Sequence, residues 1–346
     1  MKKLRWFLLP FTLLYVFITE LRNFFFSIGV LPSKEFHFPI IVIGNLSTGG
    51  TGKSPMANAV LKLIGSKNPA LLSRGYGRKT KGFRKVNLTD TADTVGDEPL
   101  MIKQLNPEKQ VFVGEDRVKA IEQILTDKAI GSIVLDDAFQ HRKLKAGYTI
   151  LLTTFNDPFY TDQVLPVGNL REMRKNAARA NAIVVSKCPD KLTVEEQNKI
   201  AQRIKSYSDV PVFFTRIAYG EPVALFEPQP FTVANVLLVT GIANNSGLVA
   251  YCKEKFNRVE VMEFNDHYEY KANDFKRIAE KFDSFAQAPK VVLTTHKDAI
   301  KWMTAENLPF KQLPVYYLPI EVEFLREENV FNELIKNYVE RFETNR

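Results

Sequence analysis

The chain has 346 residues, 45% hydrophobic and 25% charged, with 47 Lys+Arg against 39 Asp+Glu for a net charge of +8. That length suggests about two domains, each able to bury its own core, and the composition excludes a disordered, collagen-like or disulfide-scaffold chain. The two cysteines, Cys188 and Cys252, form no CxxC and no Cys/His spacing, which argues against structural zinc and fits a reducing compartment.

The positive charge is local. Residues 1–34 carry +4, 71–85 carry +6, 141–145 carry +3 and 170–179 carry +3; together these make +16 and leave −8 on the rest. A mildly acidic globule with short basic patches points to phosphate-rich or anionic partners. The patches lack aromatic stacking motifs, so no nucleic-acid partner is expected.

Between Arg5 and Glu20 lie 14 uncharged residues, WFLLPFTLLYVFIT, behind a basic start. As a helix that run spans about 21 Å, short of the ~30 Å hydrocarbon core, and Pro10 weakens a straight span. No small-residue cleavage site follows, so residues 1–28 read as an uncleaved amphipathic helix in the membrane interface. Leu4, Leu8, Phe11, Tyr15 and Ile18 share one face, and Lys2, Lys3, Arg5 and Arg22 can meet lipid phosphates. A buried first helix packed on the following domain is the competing reading.

Phe38–Gly44 reads as a buried strand. The loop that follows, Ser47-Thr48-Gly49-Gly50-Thr51-Gly52-Lys53-Ser54, leads through Pro55 into a helical pattern from Met56 to Ile64. This is a P-loop in the required strand–loop–helix context, with Ser47 in place of the leading glycine. Loop amides and the helix N-terminus cradle phosphates, Lys53 reaches the β- and γ-phosphates, and the Ser54 hydroxyl serves Mg²⁺. The glycine-rich, basic stretch 73–85 suits an anionic lipid, although a solvated loop has the same chemistry. Asp97 and Glu98, between Gly96 and Pro99, sit at a loop or helix start. Ile133–Leu135 is a strand ending in Asp136 and Asp137, the usual place for a second Mg²⁺ support.

Further strand-like runs at Gln110–Gly114, Tyr148–Thr153, Asn181–Ser186 and Val210–Thr215 alternate with helical patterns, one opened by the capping box Thr193-x-x-Glu196. This alternation predicts an α/β fold: a P-loop NTPase-like, largely parallel sheet over residues 29–218. Residues 219–231, with Pro222, Pro228 and Pro230, read as a linker. Runs at Asn235–Thr240, Arg258–Phe264, Lys290–Thr295 and Val315–Pro319 then give a second, smaller α/β domain over 232–346. It carries Asp266 and His267 just past a strand, which implies hinge closure of one domain on the other. Ser186-Lys187-Cys188-Pro189-Asp190 and Thr295-His296-Lys297-Asp298 resemble a guanine-reading N-K-x-D with faulty spacing, and both read as structural.

Taken in order, GNLSTGGTGKSP (44–55), SRGYGR (73–78), GDEP (96–99), DDAFQH (136–141), LPVGNLRE (165–172) and FNDH (264–267), with the amphipathic start, resemble the tetraacyldisaccharide 4′-kinases of lipid A biosynthesis. The resemblance runs from residue 1 to about 300; Ala138 stands where such families commonly have glycine. It implies ATP- and Mg²⁺-dependent phosphorylation of the 4′-hydroxyl of a tetraacyldisaccharide 1-phosphate, at the cytoplasmic face of a bacterial inner membrane and without an obligate protein partner. It further implies that Asp97 and His267 activate the hydroxyl. Glu98, Asp136 and Asp137 would surround Mg²⁺, and Arg74, Tyr76, Gln140, His141, Arg171 and Glu172 would line the substrate site. The competing reading is a P-loop GTPase or ATPase acting as a switch or assembly factor, which hydrolyses slowly and has no lipid acceptor.

Overall fold

A computed structural model describes residues 2–227, 231, 235–285, 289–303 and 308–342. Its strands are β1 (Ile40–Asn45), β2 (Pro69–Ser73), β3 (Arg84–Lys85), β4 (Gln110–Val113), β5 (Ser132–Asp136), β6 (Tyr148–Thr154), β7 (Ala182–Ser186), β8 (Val212–Tyr219), β9 (Val223–Ala224), β10 (Asn235–Thr240), β11 (Arg258–Glu263), β12 (Lys290–Thr295), β13 (Val315–Leu318) and β14 (Ile320–Phe324). They form a nine-stranded sheet in the order β14-β8-β7-β6-β1-β5-β2-β4-β3 and a five-stranded sheet in the order β11-β10-β12-β13-β9. Among the described residues only the edge pairs β3–β4, β14–β8 and β9–β13 are antiparallel.

Both sheets are covered on both faces, as their unbroken apolar strands require. Ile41 and Ile43 of β1 point to a core built with Met56, Val60 and Leu61 of the helix Lys53–Leu63 and Leu100 and Ile102 of the helix Asp97–Leu105. Ile40 and Val42 point to the opposite core, which holds Ile121 and Ile124 of the helix Arg117–Ile124. In the smaller sheet Leu237 and Val239 meet Phe275 and Trp302 on one face, while Val236 and Leu238 meet Leu248 and Cys252 on the other.

The chain end departs from the expected division. The second unit does not extend through residue 346: β14 leaves the small sheet and pairs antiparallel with β8 of the large one. Alternation in Ile320-Glu321-Val322-Glu323-Phe324 explains this, because Val322 and Phe324 pack on the large core while both glutamates face out. The helix Glu328–Glu340 follows onto the same core through Phe331, Ile335 and Val339, and the Tyr338 hydroxyl accepts from Ile40 N–H at 3.1 Å. Nor is 219–231 a bare linker, since β9 lies within it and joins the small sheet; Pro228 and Pro230 lie outside the described residues.

The N-terminal segment is helical from Lys2 to Ser27, first as a 3₁₀ turn and then as an α-helix from Leu9. Arg5–Ser27, 23 residues, is long and apolar enough to cross a membrane by length and composition, so the shortness argued from the uncharged run alone does not hold. Its polarity is inverted relative to an ordinary surface helix. Thr12, Tyr15, Val16, Glu20 and Asn23 face the protein, while Phe7, Phe11, Leu14, Phe17, Ile18 and Phe24 are exposed, Phe7 to 81%. Tyr15 therefore does not share the outer face expected for it: its hydroxyl donates to Arg171 O at 3.1 Å. Thr12 Oγ1 accepts from Val167 N–H at 3.2 Å, Arg22 donates to Gln140 O at 3.0 Å, and Glu20 pairs with Lys175 at 2.6 Å.

Candidate active site

Functional groups collect where the parallel strands end, the usual place for a ligand in an open α/β sheet. At the end of β1 the loop 46–52 turns into the helix Lys53–Leu63, whose N-cap Gly52 has φ +85. An L side chain there would be strained, so glycine is needed to aim the first-turn amides outward. The rest of the loop is fastened from its flanks. Ser47 forms an antiparallel bridge with Leu170, and Thr48 N–H donates to Asn169 O at 2.8 Å. Thr51 N–H donates to Gly49 O, its Oγ1 accepts from Asn45 Nδ2 at 2.9 Å, and its carbonyl accepts from the Ser186 hydroxyl at 2.8 Å. Gly49, Gly50 and Gly52 thus form the open part of the loop, with Ser47, Thr48 and Thr51 as its fastenings. Lys187, at φ +56, hangs over this opening: its Nζ lies 3.8 Å from where a Cβ on Gly50 would stand.

Two of the acids expected around a metal, Glu98 and Asp136, meet at Ser54, although among the described residues no three such side chains are grouped closely enough to form a metal site by themselves. The Ser54 hydroxyl lies 2.8 Å from Glu98 Oε2 and 2.9 Å from Asp136 Oδ2. Asp136 Oδ1 is buried with no hydrogen-bond partner. Burial, then Glu98, then Asp137, push the Asp136 carboxyl up to about 7. A buried acid with an orphaned oxygen beside two more carboxylates is a site short of positive charge. For Asp137 burial works upward but Lys53 and Arg171 outweigh it, and its carboxyl is held below the ordinary range. Lys53 Nζ is 3.8 Å from Asp137 Oδ1, and Arg171 donates to that oxygen at 2.9 Å while also bonding Asn45 Oδ1.

The sign of the Asp136 shift yields a stability prediction. Between the ordinary value of 3.8 and about 7 the folded protein holds a proton that the unfolded chain has shed, so metal-free stability falls as pH rises through that window. Asp136→Asn removes this penalty. Without Mg²⁺ at pH 8 the variant is expected to melt at or above the wild-type temperature, and adding Mg²⁺ to the nucleotide-bound protein is expected to raise the melting point of wild type more than that of the variant. An equal Mg²⁺-dependent rise in both proteins would show that Asp136 does not serve the metal.

Beside this cluster, Asp97, the neighbour of Glu98 in the helix Asp97–Leu105, meets His267 from the loop after β11 of the other sheet. Asp97 opens the helix Asp97–Leu105 behind Gly96, whose φ of +93 would strain any other residue and where an added Cβ would stand a tight 3.1 Å from Tyr76 O. His267, on the loop after β11, has a left-handed φ of +56, a strained setting for a non-glycine residue. Its Nδ1 stands 3.2 Å from Asp97 Oδ2, and its ring packs on Tyr76 at 5.1 Å between centroids. Asp97 is 5% exposed. Burial alone would raise its carboxyl, but the contact with His267, then Lys297, then Lys301, hold it below the ordinary carboxylate range. The site therefore presents an ionised, oriented carboxylate facing a phosphate-binding loop.

A family model described as tetraacyldisaccharide-1-P 4′-kinase matches residues 4–340. The chain belongs to the tetraacyldisaccharide 4′-kinase family. A relative of that name from Flavobacterium psychrophilum is 40% identical over 353 residues, covering 100% of both chains. One from Bacteroides fragilis is 36% identical, covering 97% of this chain and 94% of its own. The crystal structure of LpxK from Aquifex aeolicus in complex with ATP superposes with a TM-score of 0.76 at 31% identity, covering 97% of this chain and 99% of that one.

The remaining residues singled out by likeness to this kinase family divide in the structure. Tyr76 is exposed beside His267, Arg171 holds Asp137, and Gln140 donates to Asn45 O at 2.8 Å, all at the cleft. Arg74 is exposed just past the end of β2. His141 is half-buried, and burial, then Arg117, push its imidazole down to about 4, so it stays neutral at physiological pH. Glu172 falls outside the set expected to meet a sugar: it is 2% exposed and ion-paired with Arg179, which stacks on Phe139. One of its oxygens fixes Arg179 beneath the N-terminal helix, and the other, Oε1, is buried without a hydrogen-bond partner.

Sequence reasoning missed four cations. Lys297 and Lys301, one turn apart on the helix His296–Trp302, both point at Asp97, at 3.9 and 3.7 Å. Lys187 overhangs the P-loop, and buried Arg117 lies within electrostatic reach of Asp136 and Asp137. The signal was available for two of these: Lys187 immediately follows the end of β7 and Lys297 lies two residues past the end of β12, where open α/β sheets place ligand contacts.

Proposed function

We propose that this chain transfers the γ-phosphoryl group of ATP to the 4′-hydroxyl of a tetraacyldisaccharide 1-phosphate, the lipid A step for which its family is named. The observation that carries the reading is the Asp97–His267 pair, 3.2 Å apart, facing the P-loop and the Ser54–Glu98–Asp136 cluster. Asp97 accepts the hydroxyl proton as the oxygen bonds to phosphorus and the bond to ADP breaks. His267 orients Asp97, and Lys53 with the Gly49–Ser54 amides steadies the phosphates. Ser54, Asp136 and Glu98, with Asp137 nearby, would hold Mg²⁺; their hard oxygen donors and the orphaned Asp136 oxygen suit that ion. When bound, Mg²⁺ would supply neutralisation of phosphate charge there. Tyr76, Gln140, Arg171 and exposed Arg74 are the residues we assign to the sugar and its phosphate. His267 follows β11 of the small sheet and Asp97 opens a helix packed on the large one, so their contact already joins the two units at the site.

The test is incubation with γ-labelled ATP, Mg²⁺ and the tetraacyldisaccharide 1-phosphate. Label in the lipid supports the kinase; label appearing only as free phosphate returns the protein to the ATPase-switch reading.

The same proposal places the protein on the cytoplasmic face of the inner membrane, where ATP and the lipid meet. The N-terminal helix is fastened lengthwise to the body from Thr12 to Arg22, with its apolar side turned out, an arrangement suited to lying in the interface. Phe7, Phe11 and Phe17 are exposed and outside the fastened face. Each inserted Phe contributes ~1.5–3 kcal/mol, so replacing all three by Glu is expected to lower vesicle partitioning at least ~10³-fold while the fold persists. Unchanged co-sedimentation with vesicles would reject the anchor.

A further inference from the structure

The structure assigns Lys297, which the reaction scheme above does not use, to a positioning role. We propose that its ammonium holds His267 in the tautomer that aims Nδ1–H at Asp97 and pins the loop carrying His267 to the helix carrying Asp97. The proposal rests on the reading of Asp97 as the proton acceptor.

Lys297 Nζ lies 3.2 Å from His267 Nε2, 3.4 Å from Asp266 Oδ1, 3.5 Å from Glu98 Oε1 and 3.9 Å from Asp97 Oδ2. Its side chain is 16% exposed, so a flexible stem has been ordered among four partners. An ammonium only donates hydrogen bonds and a carboxylate only accepts them. With the ammonium at Nε2 that nitrogen must present its lone pair, and the neutral ring's proton then sits on Nδ1, the nitrogen facing Asp97. The Lys297 contact demands this tautomer, and the 3.2 Å approach of Nδ1 to Asp97 Oδ2, otherwise without a hydrogen-bond partner, is compatible with it. The other one would set an N–H against the ammonium and a lone pair against the carboxylate.

Lys297 is itself well placed to do this. Thr295 caps its helix, accepting from Asp298 N–H at 3.1 Å, and Asp298 Oδ2 accepts from Gly241 N–H at 2.9 Å, tying the helix to β10. The cation therefore reaches out from the small sheet to join Asp266 and His267, on its own side, with Asp97 and Glu98 of the large one. It also accounts for the left-handed backbone of His267, because such strain persists only where the surroundings over-determine it. Lys297 grips one edge of the ring and Tyr76 packs on its face.

The protein has four histidines, so imidazole ¹⁵N spectra can be assigned by replacing His37, His141 and His296 singly. In wild type, without ATP or lipid, His267 is expected to show a protonated Nδ1 and an unprotonated Nε2. Lys297→Met is expected to give mixed tautomers and a ~10²-fold lower kcat, the scale of a misaligned catalytic group, with KM for ATP nearly unchanged. Lys297→Arg, also a pure donor, is expected to keep the tautomer and return at least a tenth of wild-type turnover. A protonated Nε2 in wild type overturns the proposal, and so does a Met variant with wild-type tautomer and turnover. An Arg variant that keeps the tautomer yet is as slow as Met also overturns it. Should the Met variant fail to fold, the wild-type spectrum still decides. The spectra need no substrate, so failure of lipid phosphorylation would appear separately, in the labelled-transfer assay.

Discussion

Asp97→Asn is expected to lower kcat by ~10²–10⁴, the usual contribution of a general base. Asparagine keeps the shape and the acceptor for the Glu98 N–H bond, 2.9 Å in the wild type, but cannot take up a proton. Because His267, Lys297 and Lys301 hold Asp97 below the ordinary carboxylate range, it is ionised throughout the neutral region, and its own titration should not appear in a pH–rate profile there. The sign of that shift also fixes its effect on stability. Asp97 contributes stability above its unfolded value of 3.8, and that contribution is lost as pH falls through the lower folded value. The asparagine variant leaves Lys297 and Lys301 facing a neutral side chain and should melt somewhat lower at pH 7. Steady-state kinetics at saturating ATP and lipid make the check; near-normal kcat would remove Asp97 from the base role.

Lys53→Met is expected to lower kcat/KM for ATP by ~10²–10³, the scale of losing one preorganised charge donor in a water-poor site. The structure shows where that charge stands before nucleotide arrives: against Asp137 at 3.8 Å, with Arg171 on the same carboxylate. Removing Lys53 leaves Asp137 still paired with Arg171, so the fold should survive and the loss should be kinetic. Nucleotide titration and initial rates on the same preparation test this. A variant that binds and turns over ATP normally would mean that another cation, Lys187 above the loop being the nearest candidate, serves the phosphates.

Legibility in the sequence followed the range of the interactions. The P-loop was readable because its strand, glycines, Lys53 and Ser54 are neighbours in the chain, and glycine alone takes the φ of +85 at position 52 without strain. The Asp136-Asp137 pair was readable for the same reason, lying at the end of an apolar strand. The alternation of strand and helix announced two largely parallel sheets. It did not announce that β14 would return to the first, because an edge strand of alternating apolar and acidic residues pairs equally well wherever an unpaired edge is offered. Asp97 and His267 were brought together by family resemblance, since 170 positions separate them and no local pattern links one to the other.

By itself, then, the sequence determined what short-range chemistry determines: a phosphate-binding loop, carboxylates at strand ends, an apolar leader and basic patches on an acidic body. Tertiary structure alone decided which side of the leader faces outward, that Glu172 is occupied by Arg179, and that Lys297 joins Asp97, Glu98, Asp266 and His267 across two sheets. The physical reason is that a lysine after a strand reads as a solvated charge until packing places four partners around it. Such packing depends on closure of chain segments some 200 residues long, whose entropic cost grows only slowly with length and whose outcome no local spacing records.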